Sequence, residues 1–329
     1  MHRRDLIKGA TLGGIAASIL QPTVLAAAGQ KPDSDAARAL NELQEQLDQF
    51  ELDFATPEWK LRTPADFAEA RRMLLHSLMH ALEAWLEADP ARPFFTAFIN
   101  RHKKLLGDNP DARYFTAVIS DQYRYRIRGN LVGATYTSFT LEMAAGELNA
   151  GIGATLNDGQ FKTDANGDFE IILSRDKAGD NWMPLQKGVA SITTRHYYER
   201  QLSINNDPLH HIPLMIENLD EVPPRDAPSD AGIATGIRRV TTFLKGTVIP
   251  MNTGIDLPWV SRMPNTFNPI VADDSNEGVT YAARDNVYAM APFVLAPNQA
   301  LLIRGRFPKC RFANVVLFNR FLQTLNYEE

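Results

Sequence analysis

Along residues 33–106 the apolar positions recur at helical spacing. Thr63-Pro64-Ala65-Asp66 offers an N-cap hydroxyl, a proline at the first helical position and an acid in the first turn. Phe67, Leu74, Leu78, Leu82 and Trp85 then follow at steps of three, four and seven, one apolar stripe on a helix that Asp89-Pro90 ends. His76 and His80 fall opposite that stripe, on what should be a solvated face. An earlier helix is expected over 36–50 and a short one over 94–105. After Gly107-Asp108-Asn109-Pro110 the pattern changes to short runs of alternating polarity broken by Gly, Asn, Asp and Pro. Strands are expected near 123–128, 135–141, 169–173, 189–197, 287–295, 300–305 and 312–318. Arg128-Gly129-Asn130 and Ala165-Asn166-Gly167-Asp168 read as hairpin turns, the second with the favoured Asn-Gly pair. Residues 221–228 and 251–269 are proline-rich loops, with one helix between them over 229–244. Strands at this spacing predict an antiparallel β-sandwich or jelly roll over residues 107–329, preceded by a helical region over 29–106.

The first 28 residues stand apart. A basic start, an apolar run over 11–20 and the small residues Ala26-Ala27-Ala28 make a secretory signal with an A-x-A cleavage site, too short and too punctuated to span a membrane. Arg3-Arg4 followed by Leu6, Ile7 and Lys8 fits the twin-arginine export pattern, with His2 where Ser or Thr is usual. The alternative is a general secretory signal that begins with two arginines. The expectation is therefore a bacterial periplasmic or secreted protein whose partner during export is the twin-arginine translocase. Once the signal is removed, no transmembrane span is expected.

Composition narrows the function classes. The chain has 329 residues, 44% hydrophobic and 22% charged, which is ordinary for a globular protein with a sizeable core. A net charge of −5 without basic clustering argues against nucleic acid or anionic membrane as partner. Cys310 is the single cysteine, which excludes an intramolecular disulfide and a cysteine zinc site.

Familiar catalytic motifs are missing. His76 and His80 have the spacing of H-E-x-x-H, but Ser77 stands where the general-base Glu is required. Asp164, Asn166, Asp168 and Glu170 alternate like calcium ligands, yet Gly167 and Arg175 fall where an EF-hand loop needs other residues, so a turn is the better reading. Gly151-Ile152-Gly153 lacks the third glycine of a dinucleotide site. No cofactor and no metal is expected.

What remains is a set of arginines and aromatics. In YRYRIRGN, Tyr123, Tyr125 and Ile127 share one face of a strand and Arg124, Arg126 and Arg128 the other. Arg195-His196-Tyr197, Asn181-Trp182 and Arg304-Gly305-Arg306 carry similar side chains. Guanidinium groups grip carboxylates or phosphates in pairs of hydrogen bonds, and neighbouring aromatic rings suit sugar faces. The candidate ligand-binding residues are Tyr125, Arg126, Asn181, Trp182, Arg195, Tyr197, Arg304 and Arg306, with Arg126 near Arg195 or Arg304. The competing reading is that these arginines cover a polar sheet face or pair with acids of the chain.

The segments GDNPDARYFTAVISDQYRYRIRGNLVGATYTSFTLEM, DANGDFEIILS, GDNWMPL, TTRHYYE and LAPNQALLIRGRFPKCRFANVVLFNRFLQT resemble, in consistent order over about residues 107–325, the bacterial domain-of-unknown-function 1214 family. The resemblance implies a jelly roll in exported or envelope-associated proteins, and no reaction. Together these readings point to an exported protein that binds or acts on a polyhydroxylated or anionic small molecule, such as a saccharide. An enzyme of this kind would be a hydrolase or lyase using Asp or Glu with Tyr and Arg. The alternative is a non-catalytic envelope or assembly protein.

Overall fold

The computed structural model describes residues 33–143, 151–252, 260–270, 281, 283–325 and 327. The expected signal over 1–28 lies outside them. Residues Ser34–Glu329 form one compact unit, and among the described residues it is mainly β, with two sheets and three α-helices. No helix among the described residues is long and apolar enough to cross a membrane.

Helix α1 (Asp35–Phe54) starts at Ser34, whose hydroxyl accepts from the Ala37 N–H. Helix α2 (Pro64–Trp85) starts in the expected way: Thr63 and Asp66 form a capping box with Pro64 at the first position. Helix α3 (Asp230–Val248) packs on both. Strands β1 (Thr96–Ile99), β2 (Ala112–Val118), β4 (Tyr136–Met143), β5 (Ile152–Asn157) and β8 (Val189–Tyr197) form a five-stranded antiparallel sheet in the order β1-β2-β8-β4-β5. Strands β3 (Tyr125–Asn130), β6 (Asp168–Ser174), β7 (Trp182–Pro184) and β9 (Leu214–Asn218) form a four-stranded sheet in the order β7-β6-β3-β9, where β6 and β7 run parallel.

The two sheets face one another across a shared core. Ala117, Phe139, Leu141 and Ile192 from the larger sheet pack with Tyr125, Ile127, Ile171, Leu173 and Ile216 from the smaller. The helices cover the other side of the larger sheet, where Phe98, Ile99, Tyr114 and Tyr197 join Phe50, Met73, Leu74, Val240 and Phe243 in a second core. The architecture is thus helices, sheet, sheet.

Several expectations are corrected. The helix expected over 94–105 is strand β1 and a tight Asn100–Lys103 bridge, because this short segment gains the β2 edge as partner. Residues 287–295, 300–305 and 312–318 form no strand; they contribute only isolated bridges, Val260 with Met290 and Phe318 with Thr324. Arg128-Gly129-Asn130 lies inside β3. The reversal comes one step later, at Leu131–Ala134, where Val132 and Gly133 take φ 48° and 72° and the Ala134 N–H donates to the Leu131 carbonyl. Asn166-Gly167 does turn, with Gly167 at φ 83°, but it carries the chain from β5 to β6 in the other sheet rather than closing a hairpin. Helix α2 turns its expected stripe to the core at Leu74, which is buried, and at Phe67, Leu78 and Trp85, which pack against the core partly buried, but the face it buries is broader and shifted. Ala70, Met73, Ser77, His80, Ala81 and Ala84 are buried, whereas Leu82 is 41% exposed. Small residues there let α2 come close to its neighbours, which a stripe defined by large side chains misses.

Candidate functional site

The eight residues singled out by sequence do not converge. Tyr125 is fully buried between the sheets, and its hydroxyl donates to the Pro90 carbonyl and accepts from the Ser120 N–H. Arg126 lies on the outward face of the four-stranded sheet, between Glu217 at 3.4 Å and Glu170 at 3.8 Å. Arg128 shares the same two acids and Arg124 pairs with Asp220, so every rung of the ladder has an acid of the chain. The Trp182 indole donates to Ser174 Oγ at 2.9 Å, and Asn181 ties Lys162 to the Glu170 carbonyl. An open groove of about 730 Å³ beside them is lined by Arg128, Glu170, Asn181 and His211. Arg304 and Arg306 stand exposed on an irregular segment. Arg195 and Tyr197 belong to the opposite outward face, that of the five-stranded sheet beneath the helices. The expected meeting of Arg126 with Arg195 therefore does not occur: the two side chains leave the sandwich on opposite sides.

It is the face carrying Arg195 that holds unusual chemistry. Strand alternation puts Ser191, Thr193, Arg195 and Tyr197 of β8 on it, with Tyr136, Ser138, Thr140 and Glu142 of β4 and Tyr114 and Thr116 of β2. The register aligns Thr96, Thr116, Thr193, Thr140 and Thr155 as one transverse row, a threonine from each strand. Neighbours in such a row are ~4.8 Å apart. On one side of the row stand Ser191 and Glu142, and on the other Arg195 and Ser138.

Glu142 and Arg195 are 1% and 4% exposed, with Arg195 Nη2 3.9 Å from Glu142 Oε1. Arg195 donates to Thr140 Oγ1 at 3.0 Å and to the Tyr281 carbonyl at 2.8 Å. The Tyr281 N–H in turn donates to Glu142 Oε2 at 3.1 Å. Burial pushes the Glu142 carboxyl up to about 7, against the opposing pull of Arg195, the Tyr281 N–H and the Thr193 hydroxyl. That hydroxyl stands close enough to favour the charged carboxylate without reaching hydrogen-bond geometry. Glu142 Oε1, Ser138 Oγ, Thr155 Oγ1, Ser191 Oγ and Thr193 Oγ1 are all buried and lack a hydrogen-bond partner. One such atom costs about 1–3 kcal/mol, and natural folds carry few of them. Five on one face make it a place where a polar guest is gained cheaply.

Aromatic walls complete the site. Tyr281 lies against Phe98 and Phe243, with centroids at 5.1 and 6.1 Å, and both of those rings also touch His80. Burial, then the charge of Lys103, holds His80 well below the usual histidine range, so it is a neutral wall with Nδ1 unpartnered. The solvated face expected for His80 is thereby corrected. His76, half-buried, accepts from the Lys104 N–H. Tyr197 accepts from Asn286, and burial pushes Tyr288 up to about 12. A crevice of about 10 Å³, room for about one water, opens between Ala84 and Ala88 of the α2 end and Thr96 and Thr116, the first two threonines of the row.

Sequence reasoning found Arg195 and Tyr197 but missed Glu142, Thr193, Ser191 and Tyr281. The available signal was alternation in β4, where Ser138, Thr140 and Glu142 alternate with Phe139, Leu141 and Met143; in β8 the polar Thr194 and His196 on the other face blur it.

No protein-family model and no curated protein matches the chain. Among solved structures it is similar to an uncharacterised protein from Burkholderia cenocepacia, 21% identical over 72% of this chain and 63% of that one, with a TM-score of 0.57. The chain thus spans under two thirds of that protein's length, and the likeness concerns the fold alone. The VPA0106 protein from Vibrio parahaemolyticus matches over 40% of this chain and 31% of its own, at 15% identity and a TM-score of 0.24, too distant to bear on fold or site.

Proposed function

We propose that this is an exported bacterial protein that binds or acts on a polyhydroxylated or anionic small molecule, a saccharide in our reading, on the outward face of its five-stranded sheet. The observation that carries the reading is the set of four buried hydroxyls without a hydrogen-bond partner, those of Ser138, Thr155, Ser191 and Thr193, on the face of the Glu142–Arg195 pair. Serine and threonine hydroxyls both donate and accept, which suits a ligand made of hydroxyls. A carboxyl poised near neutrality beside a guanidinium is a proton donor or acceptor at working pH. In a hydrolase or lyase, Glu142 would hold that role and Arg195 would orient the substrate. The resemblance to the domain-of-unknown-function 1214 family and the Arg3-Arg4 signal support export. Consecutive strands cross between the sheets from β2 to β3, β3 to β4, β5 to β6, β7 to β8 and β8 to β9, which supports reading the two sheets as a sandwich of jelly-roll kind.

A panel of neutral saccharides and sugar acids, read by thermal stabilisation of the mature chain, tests the binding. A ligand at a hundred times its Kd adds about 2.7 kcal/mol, and Thr193→Val should weaken that response. No stabilisation by any member would refute the reading. For export, replacing Arg3 and Arg4 by lysines should hold the precursor in the cytoplasm; normal periplasmic yield would point to the general secretory route. The second reading, a non-catalytic envelope protein, is favoured by the internal pairing of Arg124, Arg126 and Arg128 and by the exposed Phe293, Leu302, Phe307 and Val315.

A further inference from the structure

The contacts of Tyr281 describe the ligand this face would recognise. Its N–H donates to Glu142 and its carbonyl accepts from Arg195. Those two atoms sit at the ends of one N–C–C–O unit. The pair therefore reads an N–H and an oxygen on adjacent carbons. Tyr281 reaches that position with φ 62°, in the left-handed region that a residue with a side chain enters at a cost of about 1–3 kcal/mol. Its ring is anchored between Phe98 and Phe243. A peptide unit has nothing further to offer, and the Ser138, Thr155, Ser191 and Thr193 hydroxyls around it stay unmatched.

We propose, resting on the binding reading above, that the ligand is a 2-acylamino sugar and that Tyr281 stands in for its acylamino carbon frame. Such a sugar carries the same N(H)–C–C–O unit, so its amide N–H meets Glu142 and the adjacent ring oxygen meets Arg195. The remaining ring hydroxyls have the partners that Tyr281 lacks. The acyl group takes the place of the tyrosine ring against Phe98 and Phe243, where an apolar, planar group is favoured. A free amino sugar is a worse fit, because it lacks the acyl group that fills the aromatic cage and its ammonium would have to be desolvated to reach Glu142. A sugar acid would set a second carboxylate against Glu142. A plain hexose can reach the polar groups but leaves the aromatic cage empty.

The test is calorimetric titration of the mature chain and of Tyr281→Ala with N-acetylglucosamine, glucosamine, glucose and glucuronate. Removing the ring loosens the stand-in without touching the sheet residues. N-acetylglucosamine should bind Tyr281→Ala ~10-fold more tightly than the unaltered chain, and ~10-fold more tightly than glucose does in the same variant, each the equivalent of one good contact. Circular dichroism checks that the variant folds, and Tyr281→Leu replaces it if it does not, with the same expectation. If glucose or glucuronate binds as well as N-acetylglucosamine, the acylamino assignment falls while the binding reading stands. If N-acetylglucosamine binds the variant no more tightly than the unaltered chain, the stand-in role of Tyr281 falls. Absence of binding by all four sugars to either chain overturns this inference and counts against the site itself.

Discussion

Replacing Glu142 by glutamine should make the protein more stable, and only at neutral to alkaline pH. Glu142 is 1% exposed, and burial lifts its carboxyl from 4.5 to about 7 despite Arg195 nearby. The direction follows from linkage. A carboxyl with a raised pKa binds its proton more tightly in the fold than in the unfolded chain. The fold is therefore favoured while the group stays protonated, and that advantage is lost as pH climbs from the unfolded value through about 7. Each tenfold in proton affinity is worth ~1.4 kcal/mol, so the whole span amounts to about 3 kcal/mol. Glutamine has nearly the same shape and never ionises. At about pH 4 the two chains should differ only by a constant that reflects the amide facing Arg195. By about pH 8.5 the variant should have gained about 3 kcal/mol on the parent. With a urea slope of about 3 kcal/mol per molar for a chain of this size, the gain reads as a midpoint shift of ~1 M. Urea titrations of both chains at several pH values supply the measurement. A difference that stays flat across pH would mean that Glu142 binds its proton equally well in the folded and the unfolded chain, and the poised carboxyl would be withdrawn from the site.

Three further outcomes are expected. Arg126→Ala should cost no more than about 1 kcal/mol of stability and leave saccharide affinity untouched, because its partners Glu170 and Glu217 are substantially exposed; a loss of ligand affinity in titration would return the ladder to the binding site. Gly236→Ala in the middle of α3 would ordinarily stabilise a helix by about 1 kcal/mol. Here the new Cβ would lie 2.1 Å from the Leu86 carbonyl oxygen, so α3 must move away from the end of α2 and the melting temperature should fall; a rise would show that the two helices are not packed as described. Among the described residues no three His, Cys, Asp or Glu side chains come together as metal ligands. With a single cysteine, Ser77 in place of the H-E-x-x-H glutamate and a turn-like 164–170 segment, EDTA should leave the melting temperature unchanged, and a drop reversed by calcium or zinc would refute this.

The parts of the fold that were legible are those whose local chemistry leaves one choice. Thr63, Pro64 and Asp66 can satisfy the start of a helix and little else, and α2 begins there. VASITTRHY, with four β-branched residues in nine, is strand β8 to the residue. Turns were legible as reversals but not as connections. Asn166-Gly167 specifies a left-handed glycine, yet nothing in two residues says which sheet receives the next strand. The failures have the same origin. Residues 287–295 and 300–305 alternate well enough for strands, but a strand exists only with a neighbour to pair with, and none of the described segments supplies one beyond the single bridge at Met290.

The site was half legible for a sharper reason. Sequence reasoning weighted charge and size, so it gathered arginines and aromatics from both faces of the sandwich into one imagined pocket. Whether an arginine is a grip or a surface rung depends on what lies across the strand from it, and register is not visible in a single run of residues. Arg126 faces Glu217 and Arg128 faces Glu170 across ordinary rungs, each charge answered on an open face. Arg195 faces Tyr114 and Ser138, under helices, with its acid displaced along β4 to Glu142 and bridged by the backbone of a residue 86 positions away. A charge pair bridged by main chain is one that another main-chain-like group can enter. The same guanidinium chemistry thus yields a covered sheet in one place and a candidate recognition site in the other, and the unmatched hydroxyls of Ser138, Ser191 and Thr193 are what separate the two.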